Sequence, residues 1–315
     1  NHTLFSNFKN PAFLGGDDTS RQWGLGLSIG IDAEYKDVTS VGDNFTTLQN
    51  SLDGINTKLQ SPTGYLQDVI NDGFNPITDE AGTALEIQTR ATDDTVDAIN
   101  TFFTANENLQ ITTKASGSIP LVIQTTGYGG FMLAASVTTG GTTYLVRNGD
   151  ADANLNVDVN TPSNTSFDAV TNAGMAFNAF QMTEISASYS MDLNRYIKPT
   201  SGQINLGLRA KMMNAAFNQY VVDFDDAVNS GDEFGNQVSD GLSEATNFDE
   251  TSSTFGLDIG VQYIAKNYLV GLTVENINSP SFDYTLINNT AFDALLVKDI
   301  TFEPKARIEA ATYSQ

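Results

Sequence analysis

The sequence predicts an all-β protein, an antiparallel transmembrane β-barrel carrying an α-helical insert. Three observations support this. Long segments alternate strictly between apolar residues and small or polar ones, as strands with one apolar and one wet face must. Charged residues are only 17% of the 315-residue chain, although its net charge is −23, and an ordinary soluble domain holds about 25%. No run of about 18 apolar residues exists, so any membrane crossing falls to strands.

The first alternating segment runs from Trp23 to Tyr35. Leu25, Leu27, Ile29, Ile31, Ala33 and Tyr35 share one face; Gly24, Gly26, Ser28, Gly30, Asp32 and Glu34 share the other. It exceeds the usual strand of about five or six residues. The region 42–110 then changes period. Phe45, Leu48, Leu52, Ile55 and Leu59 recur at helical steps, and Leu66, Val69, Ile70 and Phe74 continue them. A third helix is expected from Thr92 as N-cap, with Asp93 and Asp94 in its first turn. This insert reads as a cap or as a plug over a lumen. Alternation resumes in Phe131–Thr138, Glu184–Leu193, Ile204–Met212, Phe255–Tyr263 and Tyr268–Glu275. The last two are joined by Ala265-Lys266-Asn267 and read as a hairpin. Ile300–Tyr313 is the final strand candidate. The stretches 148–160 and 223–250 are rich in Asp, Asn, Ser and Gly and read as surface loops, the second an acidic one. Residues 1–315 are read as one barrel domain.

Two packings accommodate such strands. A soluble sandwich buries the apolar faces against a second sheet. A transmembrane barrel turns them to lipid and the polar faces to a lumen. Several segments reach the roughly 9–11 residues of a spanning strand, and Trp23, Tyr35, Tyr189, Tyr196, Tyr263 and Tyr268 lie near strand ends, as interfacial girdles do. The barrel is therefore the reading taken. Its lumen candidates are Asp32, Glu34, Arg209, Lys211, Asp258 and Glu275. They would either set the polarity of a passage or brace the wall as a paired network.

Catalysis finds little support. Cys is absent and the single His is His2, which disfavours thiolate and imidazole chemistry. No nucleophile motif, P-loop or dinucleotide fingerprint occurs, so an enzyme is not expected and neither is an organic cofactor. The acidic balance argues against direct nucleic-acid contact. One metal site can be drawn: Asp150, Asp152, Asn154 and Asp158, with Asn156 between them, place oxygen ligands at alternate positions for Ca²⁺. The same residues on an extended strand would simply line a solvated face.

At this point the residues resemble a known family. Asn10-Pro11-Ala12 resembles the NPA hatch motif near the start of FadL-type outer-membrane transporters, and its setting, Asn1 to Leu14, resembles the TraF-type outer-membrane family associated with plasmid conjugative transfer. The order of parts is similar: NPA, an alternating strand, a helical insert, then Ser118-Ile119-Pro120-Leu121. Tyr268–Pro280 resembles a late-barrel stretch of FadL-like proteins, and Glu303–Ile308 the proline-led strand after it. The resemblance implies a FadL-like barrel in the outer membrane of a Gram-negative bacterium, surrounded by lipid and lipopolysaccharide. It would pass small hydrophobic molecules. The alternative is an assembly or interaction protein of conjugative transfer or of a surface structure, binding protein partners through the insert and acidic loops. An adhesive soluble β-protein is a third reading. Only about ten strand candidates can be counted, without a signal peptide or a terminal strand ending in Phe or Trp. The expectation is a processed, incomplete portion of a mature barrel.

Overall fold

The computed structural model describes residues 10–15, 23–36, 40–125, 129–197, 202–230, 234–248, 250–283, 285–286, 292, 295 and 299–312. Residues 1–9 of the opening motif and Tyr313 of the last strand candidate lie outside them. Strand β1 (Trp23–Leu25) and strand β2 (Ser28–Lys36) form one run that pauses at Gly26 and keeps a single register along β3 (Gln110–Thr125). An antiparallel meander follows through β4 (Gly129–Arg147), β7 (Ala173–Asp192), β8 (Gln203–Asp223), β9 (Ser252–Ile264), β10 (Tyr268–Glu275) and β14 (Lys305–Thr312). Side pieces are the β5–β6 pair (Asp152–Asn156, Ser166–Val170), the β11–β13 pair (Ser281–Asp283, Asp299–Thr301) and β12 (Thr285–Leu286), parallel to β8. Among the described residues the sheet does not close: the β1–β2 run and β14 are its edges. The sequence predicts an incomplete barrel, and the described residues form an open antiparallel meander. Alternation fixes which face of a strand is apolar, not how many strands complete a circuit.

The polarity of this sheet is inverted. On β8, Leu208 and Met212 are 50% and 62% exposed, while Asn205, Arg209 and Lys211 on the alternate face are buried. On β7, Ile185 and Tyr189 are exposed and Ser186, Ser188 and Ser190 are buried. Phe131, Leu133 and Val137 of β4, Phe255 and Val261 of β9 and Val270 and Leu272 of β10 continue the exposed apolar face. The register is unbroken from strand to strand, so these residues form one belt. A sandwich would have placed this face in its core.

At the far ends of β7 and β8 the same apolar face becomes covered. Met175, Phe177, Ala179 and Val222 join a core with Phe45, Leu48, Leu52, Ile99 and Phe102 of the insert. The insert comprises α1 (Val41–Gln60), α2 (Tyr65–Asn71) and α3 (Glu80–Ala105). Its α1 forms because Phe45, Leu48, Leu52, Ile55 and Leu59 repeat at helical spacing and are buried on one side. Helix α3 is capped thirteen residues before Thr92, at Asp79, whose carboxylate accepts the Gly82 N–H at 3.0 Å. Thr83, Ile87 and Ala91 extend the buried stripe ahead of Thr95, Ile99 and Phe102, so Asp93 and Asp94 sit in mid-helix. The stretch 223–250 is also helical, with α4 (Phe224–Ser230) and α5 (Phe234–Ala245), where its composition suggested a loop. Phe224, Val228 and Ala245 bury into the insert's core, which holds the segment in place. No helix among the described residues is long and apolar enough to cross a membrane.

Tyr65 ties α2 to α3, its hydroxyl donating to Asp94 Oδ2 at 2.6 Å. Burial, reinforced by that carboxylate, pushes the Tyr65 phenol well above its ordinary range. The neutral phenol is therefore favoured by folding. Its contribution is complete below the unfolded pKa of about 10 and is lost as pH rises toward the higher folded value. The insert should lose stability above about pH 10, and Tyr65→Phe should remove that part of the alkaline slope. Helical circular dichroism of both proteins against pH measures the difference.

Candidate functional site

The polar face of the sheet brings together two features that are far apart in the sequence, the Asn-Pro-Ala motif and half of the lumen candidates. Residues Pro11–Gly15 form a 3-10 turn. Asn10 shapes its entry: the Asn10 side-chain oxygen accepts the Ala12 N–H at 2.9 Å and its carbonyl accepts the Phe13 N–H at 3.1 Å. Pro11 suits the first position because it lacks an N–H and its φ is preset. Asn10, Ala12 and Leu14 are buried. Ser190 Oγ donates to the Ala12 carbonyl at 3.1 Å, and Gln124 Nε2 to the Leu14 carbonyl at 3.3 Å.

The turn can approach the sheet because glycine faces it. A Cβ on Gly207 of β8 would collide with the backbone of Pro11 and Ala12, and one on Gly260 of β9 with the Asn10 side chain. These two glycines are register partners and make a flat seat across neighbouring strands. The sequence placed Gly260 on the small, polar side of its strand; that such a position admits another backbone was the unread signal. Gly207→Val should unseat the turn. The chain contains no Cys, so a Phe13→Cys reporter can follow it: maleimide labelling should rise at least about tenfold when Gly207→Val is added, a local-opening effect of roughly 1.4 kcal/mol or more.

One strand row from this seat lies a buried ion cluster. Arg209 Nε donates to Asp258 Oδ2 at 2.5 Å and Arg209 Nη2 pairs with the same oxygen. Lys211 Nζ lies 2.9 Å from Asp258 Oδ1, which also accepts the Asn276 N–H at 2.8 Å. Lys211 further donates to Asn276 Oδ1 at 2.6 Å. Asp258 thus bridges two cations on β8, its own strand β9 and the loop after β10. Asn276, at φ 56°, closes the cluster although alternation never singled it out, because it lies beyond a strand end. Glu275 is half-buried and pairs with Arg307 of β14 at 3.5 Å, apart from the cluster. Asp32 and Glu34 share the polar face by alternation but stand exposed on edge strand β2, with Glu34 only 4.0 Å from Lys36. Of six lumen candidates, the fold therefore joins three.

The calcium candidates fall ahead of β5 (Asp150), on it (Asp152 and Asn154, with Asn156) and in the turn after it (Asp158). Asp152 and Asn154 are exposed on an extended strand paired with β6, and Asp158 Oδ1 accepts the N–H groups of Asn160 and Thr161 at 3.0 and 2.8 Å. No group of three or more His, Cys, Asp or Glu that could hold a metal occurs among the described residues.

No curated protein and no solved structure matches the chain. A family model described as "F plasmid transfer operon, TraF, protein" matches residues 7–315, and the chain therefore belongs to that TraF family.

Proposed function

We propose that this TraF-family chain works in the outer membrane, its strands forming the wall of a FadL-like barrel that admits small hydrophobic molecules. The observation that carries the reading is the inverted polarity of the sheet. Water would penalise an exposed belt of Ile, Leu, Val, Phe and Met, whereas hydrocarbon would welcome it. On β8 the open apolar face runs from Ile204 to Met212, and the same face is covered from Ala216 onward. This division suits a strand that spans a bilayer and then projects from it. The Asn10–Gly15 turn sits across the polar face, so passage along that face would require it to leave its glycine seat. Lipid and lipopolysaccharide would surround the belt.

Trp23, the sole tryptophan, is 70% exposed on the apolar side of the edge strand. In reconstituted vesicles its emission should be quenched by lipids brominated on their acyl chains. A chain that stays monodisperse without detergent, with Trp23 open to aqueous iodide in the presence of vesicles, would remove the membrane reading. Uptake of an apolar fluorophore into vesicles, with and without Gly207→Val, tests passage.

The family's link to a transfer operon favours a second reading. Helices α1 to α5 form one body with the β5–β6 pair, a surface fit for protein partners in conjugative assembly. Co-purification of a defined partner that is lost on replacing this body would favour it over passage.

A further inference from the structure

A cavity of about 490 Å³ opens where the helical body overhangs the apolar face of the sheet. This volume lies within the range of about 300–1,000 Å³ for small-molecule sites. Ile31, Ile111, Ala115, Gly141, Phe177 and Ala179 form its sheet side, and Val238, Leu242 and Phe248 roof it. Asp32 and Lys114 also border it. They alternate with Ile31 and Ala115, however, so their side chains belong to the opposite face of the sheet.

The cavity's position identifies its occupant. Its floor residues Ala115, Gly141 and Ala179 lie on the same strand faces as exposed Ile119, Val137 and Ile185. Along β2 and β3, through Ile31 and Ile29 and through Ala115, Gly117 and Ile119, the belt and the cavity are one continuous apolar surface, the upper part roofed by α5, whereas Thr139 on β4 and Gln181 and Thr183 on β7 interrupt it. The Thr139 hydroxyl donates to the Phe180 carbonyl at 3.1 Å and the Thr246 hydroxyl to the Leu242 carbonyl at 2.8 Å. Two hydroxyls of the lining are therefore already engaged with backbone. A peptide segment would bring N–H and C=O groups that such a lining does not satisfy, whereas a hydrocarbon chain asks for no hydrogen bond.

We infer that this cavity takes the acyl chain of a bilayer phospholipid, entering sideways from the belt beneath α5. The inference rests on the membrane reading above and deepens it by naming an occupant. The bound chain would fix the helical body against the bilayer surface and tie its position to the lipid.

The test uses tryptophan reporters in a Trp23→Phe background, with the full chain reconstituted in phosphatidylcholine vesicles. Leu242→Trp places the reporter in the cavity roof, and Leu208→Trp places one on the open belt. With phosphatidylcholine brominated on the acyl chain, both reporters should be quenched. Adding Ala33→Phe, which narrows the cavity on the β2 side, should cut quenching of the roof reporter at least about twofold and leave the belt reporter unchanged. Quenching of the belt reporter alone would overturn the acyl-chain site while leaving the membrane reading intact. A roof reporter quenched equally with and without Ala33→Phe would also overturn it, because general bilayer depth would then explain the signal. Quenching of neither reporter would remove the membrane reading, and the inference with it.

Discussion

Replacing Asp258 by Ala should destabilise the protein by about 3–5 kcal/mol, the usual consequence of removing one partner from a buried ion cluster. The side chains of Asp258, Arg209 and Lys211 are 0%, 6% and 7% exposed. The substitution removes the carboxylate that two buried cations share, with Glu184 of β7 as the other anion beside them, and frees the Asn276 N–H. The penalty is that of buried charge deprived of its bridging carboxylate, far more than the fraction of a kcal/mol expected for an exposed pair such as Glu34–Lys36. Two further variants separate charge from shape. Asp258→Asn retains a hydrogen-bonding side chain but loses the charge, and should fall between wild type and Asp258→Ala. Arg209→Met combined with Asp258→Ala should cost less than the sum of the single substitutions, since the second change removes a charge the first has already stranded. Urea unfolding in a fixed detergent or lipid, followed by circular dichroism, gives all four values. A near-neutral Asp258→Ala would mean that the three groups are solvated and do not brace β8 to β9.

How far the sequence could be read follows from the range of each interaction. Alternation is local, so the strand faces were legible: Ile185 against Ser186, Leu208 against Arg209 and Phe255 against Gly256 fall on the sides the pattern assigned. Helical spacing is local too, and α1 follows from Phe45 to Leu59. The start of α3 was misplaced because Thr92-Asp93-Asp94 resembles a cap, while the effective cap is Asp79, ahead of the weakly apolar stripe Thr83, Ile87, Ala91. What joins distant segments was not legible. Nothing local shows that Asn10 will lie against Gly260, or that Asn276 will reach Asp258. Nor could periodicity show which side of the sheet the insert would cover. It packs on the apolar face at Met175, Phe177 and Val222, because that face needs covering wherever it leaves the belt. For the same reason edge strand β2 carries two lumen candidates that remain exposed.

The same logic predicts the second large effect. Phe224→Ala should cost about 3–5 kcal/mol, the range for emptying a buried aromatic site. Composition makes the segment around Phe224 look like a solvated acidic loop, in which the substitution would be almost silent. In the fold Phe224 is fully buried and meets three rings of the insert: Phe45 at 5.6 Å, Phe102 at 5.9 Å and Phe103 at 6.3 Å between centroids. The first two contacts are edge-on and the third stacked, each a favoured aromatic geometry. Phe224 directly follows the last residue of β8, so the side chain that ends the strand also anchors α1 and α3. Its loss should act at a distance. Amide exchange should accelerate in α1, α3 and α4 together, while β9 and β10, which have no part in this core, keep their protection. Uniform acceleration would mean that helices and sheet unfold as one unit. Acceleration confined to 223–230 would mean that the segment is the loop its composition suggests, and that the insert is held without it.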